Sequence, residues 1–173
     1  NVLERLGLPR EAELAAIAGY LHDLGNALSR HDHGQTGALL ATNILLGHGL
    51  PPLETASIAG AIGNHEEEYG QPVNNVSAAL ILADKSDVHR SRVRNTELVT
   101  FDIHDRVSYA ATRSFLNVQP ERKEAILELT VETEICPVME YFEIFLSRMI
   151  MCRRAATFLG CRFRIVINGN EIL

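Results

Sequence analysis

Cysteine is scarce in this chain, and no two cysteines are spaced for metal binding. The three present, Cys136, Cys152 and Cys161, form no CxxC pair and leave an odd thiol over. That excludes a disulfide scaffold and a thiolate zinc site, and the three read as reduced core residues of a cytoplasmic protein. Long apolar runs are also missing. No stretch approaches the roughly 20 residues that a membrane-crossing helix needs, and no secretory leader is visible. Positive charge is in deficit, with 16 Lys and Arg against 22 Asp and Glu for a net charge of −6. Duplex nucleic acid, which demands clustered cations, is thereby excluded as the main partner. A small phosphorylated ligand is not, because a bound metal ion neutralises phosphate locally whatever the overall charge. Internal repeats and low-complexity tracts are absent as well.

What is present suits a globular chain of 173 residues, 46% hydrophobic and 22% charged, large enough to bury a core without covalent staples. The first hundred residues read as helices. One spans about Arg10 to Leu24 on the spacing of Leu14, Ile17, Leu21 and Leu24, with Gly25 as its stop. A second runs from His33 to Leu46 with Leu39, Leu40, Ile44 and Leu46 as its apolar residues and Asp32 at the N-cap. A third opens at Pro51-Pro52 and ends near His65. A fourth is capped by Asn75 and continues to about His89, and a fifth covers Asp102 to Leu116. The period then changes. Leu127, Leu129, Val131, Thr133 and Ile135 alternate with polar residues as a half-buried strand. A helix from Pro137 to Leu159 and a strand from Cys161 to Ile167 follow. Short connections on both sides of that helix predict a parallel strand–helix–strand unit, with Arg162 and Arg164 facing Glu128, Glu132 or Glu134. The organisation expected is mainly α: a helical domain over residues 1–118 and a small α+β appendage over 119–173. The appendage's strand edges offer a surface for a homodimer.

Three histidines stand beside an aspartate: His22-Asp23, His31-Asp32 and His104-Asp105. Only the first pair sits at the end of an apolar helix, where two polar side chains pressed against a hydrophobic layer need partners. A divalent cation satisfies both at once. The alternatives stay open residue by residue. His22-Asp23 is otherwise a satisfied helix-end pair, His33 a helix-start residue, His65 a surface histidine and Asp84 a polar position in an apolar helix. Lys85 reads equally as a phosphate contact or a snorkelling side chain. Arg90, Arg92 and Arg94 read as phosphate ligands or as a solvated helix end, Glu66 as a proton carrier beside His65, and His31 as a loop residue within reach of a substrate.

Together these residues resemble the HD-domain metal-dependent phosphohydrolases. His22-Asp23, within Gly19-Tyr20-Leu21-His22-Asp23-Leu24-Gly25, matches the family's His-Asp pair. His33, followed four residues later by Gly37, and His65, in Asn64-His65-Glu66, are similar to the two added histidines of binuclear members. Leu82-Ala83-Asp84-Lys85 is similar to the final aspartate. The resemblance covers roughly residues 1 to 95 and implies a helical bundle holding one or two divalent ions, such as iron, manganese or magnesium. It implies His22, Asp23, His33, His65 and Asp84 as ligands, with Asp23 bridging, His22 and Asp84 on one ion, and His33 and His65 on the other. Catalysis falls to Asp23, Lys85 and Glu66, and substrate contact to Asn26, His31, Lys85, Arg90 and Arg92. The family's first histidine precedes the pair's helix, and the chain opens at Asn1 without it, so an upstream segment is expected to carry it. Asn26 stands near the position where the subgroup that cleaves cyclic dinucleotides has lysine, which argues against that substrate. The reaction implied is hydrolysis of a phosphoester or phosphoanhydride of a nucleotide or another small phosphorylated molecule. A nucleotide-binding regulatory module without turnover and a di-iron oxygenase are the remaining readings.

Overall fold

The computed structural model describes residues 2–93 and 103–172; Arg94 of the basic cluster and Asp102 at the expected start of the fifth helix lie outside them. In chain order the elements are α1 (Val2–Arg5), α2 (Pro9–Leu21), α3 (His33–Gly47), α4 (Pro52–Gly63), α5 (Asn75–Ser86), α6 (Ile103–Ala110), β1 (Ala111–Gln119), β2 (Glu124–Val131), α7 (Val138–Phe158), β3 (Arg162–Ile167) and β4 (Asn170–Glu171). The mainly α expectation holds. Among the described residues no helix is long and apolar enough to cross a membrane.

Helix α5 organises the molecule. Nine of its twelve residues are buried, the signature of a helix enclosed on all sides. Its Val76 and Leu80 join Leu14, Ala18, Ala41, Leu45, Ile58 and Ile62 in the core of the α2–α5 bundle. Its Ala78, Ile81 and Leu82 join a second core with Tyr141, Phe145, Met149 and Cys152 of α7 and Leu127, Leu129, Phe163 and Ile165 of the sheet. Residues four apart lie on one helix face. Asp84 therefore continues the Val76–Leu80 row into the bundle, while Lys85 continues the Ile81 row toward α7. Asn74, one residue before the expected cap, starts the helix. Its side chain accepts from the Ser77 N–H and Ser77 reciprocates, leaving Asn75 to donate to Glu11.

Helix α3 turns a different side inward from the one its leucines suggest. The buried row is His33, Gly37, Ala41 and Leu45, while Leu39, Ile44 and Leu46 are exposed. A row of small residues lets neighbouring backbone come closer than a leucine row would. Hydrophobicity alone does not weigh that gain.

The fifth expected helix is corrected by half. Helix α6 ends at Ala110, and residues 111–119 form β1 instead, paired antiparallel with β2 from Ala111↔Val131 to Gln119↔Glu124. The β-branched and aromatic residues Thr112, Phe115 and Val118 suit a strand, and the waiting edge of β2 settles the choice against local helical spacing. The parallel β2–α7–β3 unit forms as expected, within a four-stranded sheet of order β1-β2-β3-β4. Strand β2 ends at Val131 rather than Ile135. The Arg164 guanidinium pairs with Glu124 and Glu171, not with the glutamates expected. Glu128 is taken by Arg113 across the β1 edge, and Glu132 by Arg90. All three cysteines are buried and unbonded, and burial pushes the Cys152 thiol up to about 12.

Candidate metal centre

Four stretches of chain converge at one end of the bundle. Helix α2 ends at Leu21, so His22 and Asp23 sit in the turn after it, ahead of a short 3-10 segment at Leu24–Ala27. His33 opens α3, His65 follows the end of α4, and Asp84 lies in the last turn of α5. The turn bearing the His-Asp pair is pressed onto α3. A Cβ on Gly25 would come within 2.0 Å of the His33 carbonyl oxygen and 2.8 Å of the Gly37 nitrogen, and one on Gly37 within 3.2 Å of the His22 carbonyl. Gly25 is thus a close-approach residue, whereas the sequence suggested a helix stop.

The three imidazoles are oriented alike. Nδ1 of His22 lies 2.8 Å from the Gly19 carbonyl, Nδ1 of His33 lies 3.1 Å from that of Arg30, and Nδ1 of His65 lies 2.6 Å from that of Ile62. A carbonyl oxygen only accepts, so each Nδ1 carries the proton and each Nε2 presents a lone pair. Those Nε2 atoms all face inward. His33 and His65 approach to 3.1 Å through Nε2, with no proton between them in this tautomer. His22 Nε2 lies 3.6 Å from Asp23 Oδ2 and 3.8 Å from Asp84 Oδ1, and His33 Nε2 lies 3.3 Å from Asp23 Oδ1. Two groups of ligand atoms, each within 4.8 Å of one another, result: His22, His65 and Asp84, and Asp23, His33 and His65. Nε2 lone pairs facing one another and two carboxylates in this way are a set that could hold a cation. The nitrogen and oxygen donor set without thiolate fits a divalent ion of the iron, manganese or magnesium kind.

His65 reaches both groups, yet it has one lone pair to give, because Nδ1–H is committed to Ile62. Asp23 has two oxygens, one toward His22 and one toward His33. Asp23 is thus the side chain that faces histidines of both groups with separate oxygens.

Burial and neighbouring charge shift two of these groups, His65 and Asp84, toward their metal-binding states. Burial pushes the His65 imidazole below its ordinary 6.5, outweighing the Ile62 carbonyl and Asp84, which raise it. Burial also pushes the Asp84 carboxyl up, but the charge and hydrogen bond of Lys85, with His22 and His65, more than reverse this and hold it below 3.8. Lys85, itself only 6% exposed, places Nζ 2.7 Å from Asp84 Oδ2. It is a buried ion-pair partner rather than a snorkelling side chain.

Those shifts carry a stability consequence. A histidine whose folded pKa is depressed leaves the unfolded state binding more protons between that value and 6.5, so stability rises with pH through the window. The metal-free protein is expected to melt lower as pH falls below 6.5. A further loss, from Asp84, is expected only below about 3.8. His65→Gln is expected to flatten the upper window; melting curves of chelator-treated protein between pH 5 and 8 check this, and an unchanged slope in the variant would refute it.

A cleft of about 320 Å³ opens over the cluster. Asp23, His33, His65, Glu66, Asp84, Lys85 and Arg92 line it, together with Arg30, Glu67, Glu68 and Arg148, which the sequence did not single out. Arg30 sits one residue before His31, which the sequence put forward as a substrate contact. Arg148 comes from α7, more than sixty residues past Asp84, and no local signal marks it. Glu66 accepts from the Gly34 N–H at 2.6 Å and stands 3.4 Å from His33 Nδ1, capping α3 where Asp32 makes no side-chain cap. The Asp32 carboxylate instead accepts from Tyr69, which raises the Tyr69 hydroxyl to about 12. Asn26 donates to Asp23 Oδ1 at 2.9 Å and accepts from Arg30, so it holds a ligand and does not line the cleft. His31 is exposed and outside the cleft. Arg90 is also outside, paired with Glu132 and stacked 4.8 Å over the Tyr109 ring.

The family model for the HD domain matches residues 2–110. No curated protein and no solved structure matches the chain.

Proposed function

Because the chain belongs to the HD-domain family of metal-dependent hydrolases, we propose that it hydrolyses a phosphoester or phosphoanhydride of a nucleotide or another small phosphorylated molecule. One observation carries the reading: the Nε2 atoms of three histidines and the carboxylates of Asp23 and Asp84 gather in two adjoining groups at an open cleft. His22 and Asp84 would hold one ion, His33 and His65 another, with Asp23 shared. Bound divalent ions supply a water that ionises near neutral pH and a positive field for the phosphoryl oxygens.

The chain's own residues set the terms. Asp23 is the half-exposed ligand, so the substrate meets the centre from its side, held by Asn26 in the orientation that offers both oxygens. The Arg30 carbonyl, with Glu66 beside it, orients the His33 ring; losing such an orienting group typically costs 10–100-fold in metal affinity. Lys85 keeps Asp84 ionised and adds positive charge at the cleft wall, joined there by Arg92. His31 and Arg90 have no part in this reading.

The test is phosphate release by the purified protein with manganese across nucleotides and generic phosphoesters. Release that a chelator stops and manganese restores is expected. Nucleotide binding with no product over hours would favour a regulatory module instead, and the absence of both binding and release would overturn the proposal.

A further inference from the structure

Lys85 and Arg148 converge on one carboxylate, that of Glu67. Glu67 Oε1 lies 2.8 Å from Arg148 Nε and 3.7 Å from Lys85 Nζ, and Oε2 accepts from the Ser147 hydroxyl at 2.9 Å. Two cations and a hydroxyl around one carboxylate describe an anion site with an internal occupant. The cations are built in. Lys85 is buried on α5, and Arg148 is anchored on α7 against Phe145, whose ring lies 5.4 Å from the guanidinium. Glu67 is the movable partner: it stands on a turn between α4 and α5, a third exposed, and rotation about its own side-chain bonds takes it out of the site. All three line the cleft that holds the metal ligands. Lys85 touches Asp84 on one side and faces Glu67 on the other, so the site borders the metal centre directly. Arg148 and Ser147 lie beyond the HD segment, so the C-terminal part of the chain builds this wall.

We propose that Lys85 and Arg148 form a subsite for a second phosphoryl group of the substrate, and that Glu67 fills it until that group arrives. A phosphoryl group offers more negative charge than a carboxylate, and its oxygens match a guanidinium edge. Exchange of Glu67 for it is therefore favourable, whereas a neutral group leaves Glu67 in place. The substrate class narrows to compounds carrying two neighbouring phosphoryl groups, one at the ions and one here. This rests on the phosphohydrolase reading for the first group alone.

Calorimetry on the manganese-loaded full chain tests it with two non-hydrolysable probes, methylenediphosphonate and methylphosphonate, compared across variants. The wild type is expected to bind the diphosphonate about tenfold more tightly, the scale of one charge-assisted contact. Arg148→Gln is expected to lose that preference while methylphosphonate binding changes less than about threefold. Glu67→Gln, at a side chain a third exposed, is expected to tighten the diphosphonate several-fold. Equal effects of Arg148→Gln on both probes, no preference in the wild type, or weakened diphosphonate binding in Glu67→Gln would each overturn the subsite. A persisting diphosphonate preference without turnover of any phosphoester would sink the hydrolase reading and leave the subsite standing. Turnover without that preference would do the reverse.

Discussion

Asp23→Asn is expected to strip the protein of at least one bound ion and to lower turnover about a thousandfold, as several kcal/mol of metal-derived stabilisation of the reacting phosphoryl group is lost. The substitution is isosteric and removes only charge. Asp23 is the one ligand with an oxygen toward each of two histidines, Oδ2 to His22 and Oδ1 to His33, so an amide there offers one neutral oxygen where a bridge needs two anionic ones. Asp23 is also half exposed, so the fold does not rest on it. The metal-free variant is expected to melt with the wild type, while the melting rise on adding manganese, which measures ion binding to the folded state, shrinks. Elemental analysis and a melting series read both quantities. Full metal content with unimpaired turnover would show that the cluster is not the reacting centre.

Gly25→Ala is expected to cost about 3 kcal/mol or more, at the upper end of the range for forced overpacking, and to lower metal affinity with it. The added methyl would stand 2.0 Å from the His33 carbonyl oxygen and 2.8 Å from the Gly37 nitrogen. Both obstacles are backbone of α3, so no side-chain rotation relieves the clash. The turn must lift from α3, which moves His22 and Asp23 away from His33. Gly19→Ala is the control, six residues earlier in α2. Nothing lies within 4 Å of its added methyl, and a helical glycine replaced by alanine gains roughly 0.4–1 kcal/mol. Denaturant melts of the two variants are expected to move in opposite directions. A Gly25→Ala protein as stable as wild type would mean that the turn does not sit as tightly on α3 as drawn.

The residues that cluster at the candidate centre were legible in the sequence because each sits where a local pattern breaks. His22-Asp23 ends an apolar helix, His33 follows a turn, His65 follows a helix end, and Asp84 interrupts an apolar row at the spacing that places it beside Leu80. Lys85 was legible as a neighbour of Asp84, but its burial was not. That follows from the packing of α7 on α5, which periodicity within α5 cannot report.

By itself the amino-acid order determined helices α2 to α5, the strand–helix–strand unit with parallel strands, and the donor types gathered at the candidate centre, since spacing and donor type act over a few residues. Only the tertiary structure decided which face α3 buries, the strand fate of residues 111–119, the capping of α3 by Glu66, and the arrival of Arg148 and Glu67 at the cleft. Each of these turns on an atom contributed by a distant segment: the edge of β2, the backbone of the His-Asp turn, a carboxylate 32 residues past Gly34, and a guanidinium on a helix that follows the whole bundle. Local propensity differences of a few tenths of a kcal/mol yield to such contacts.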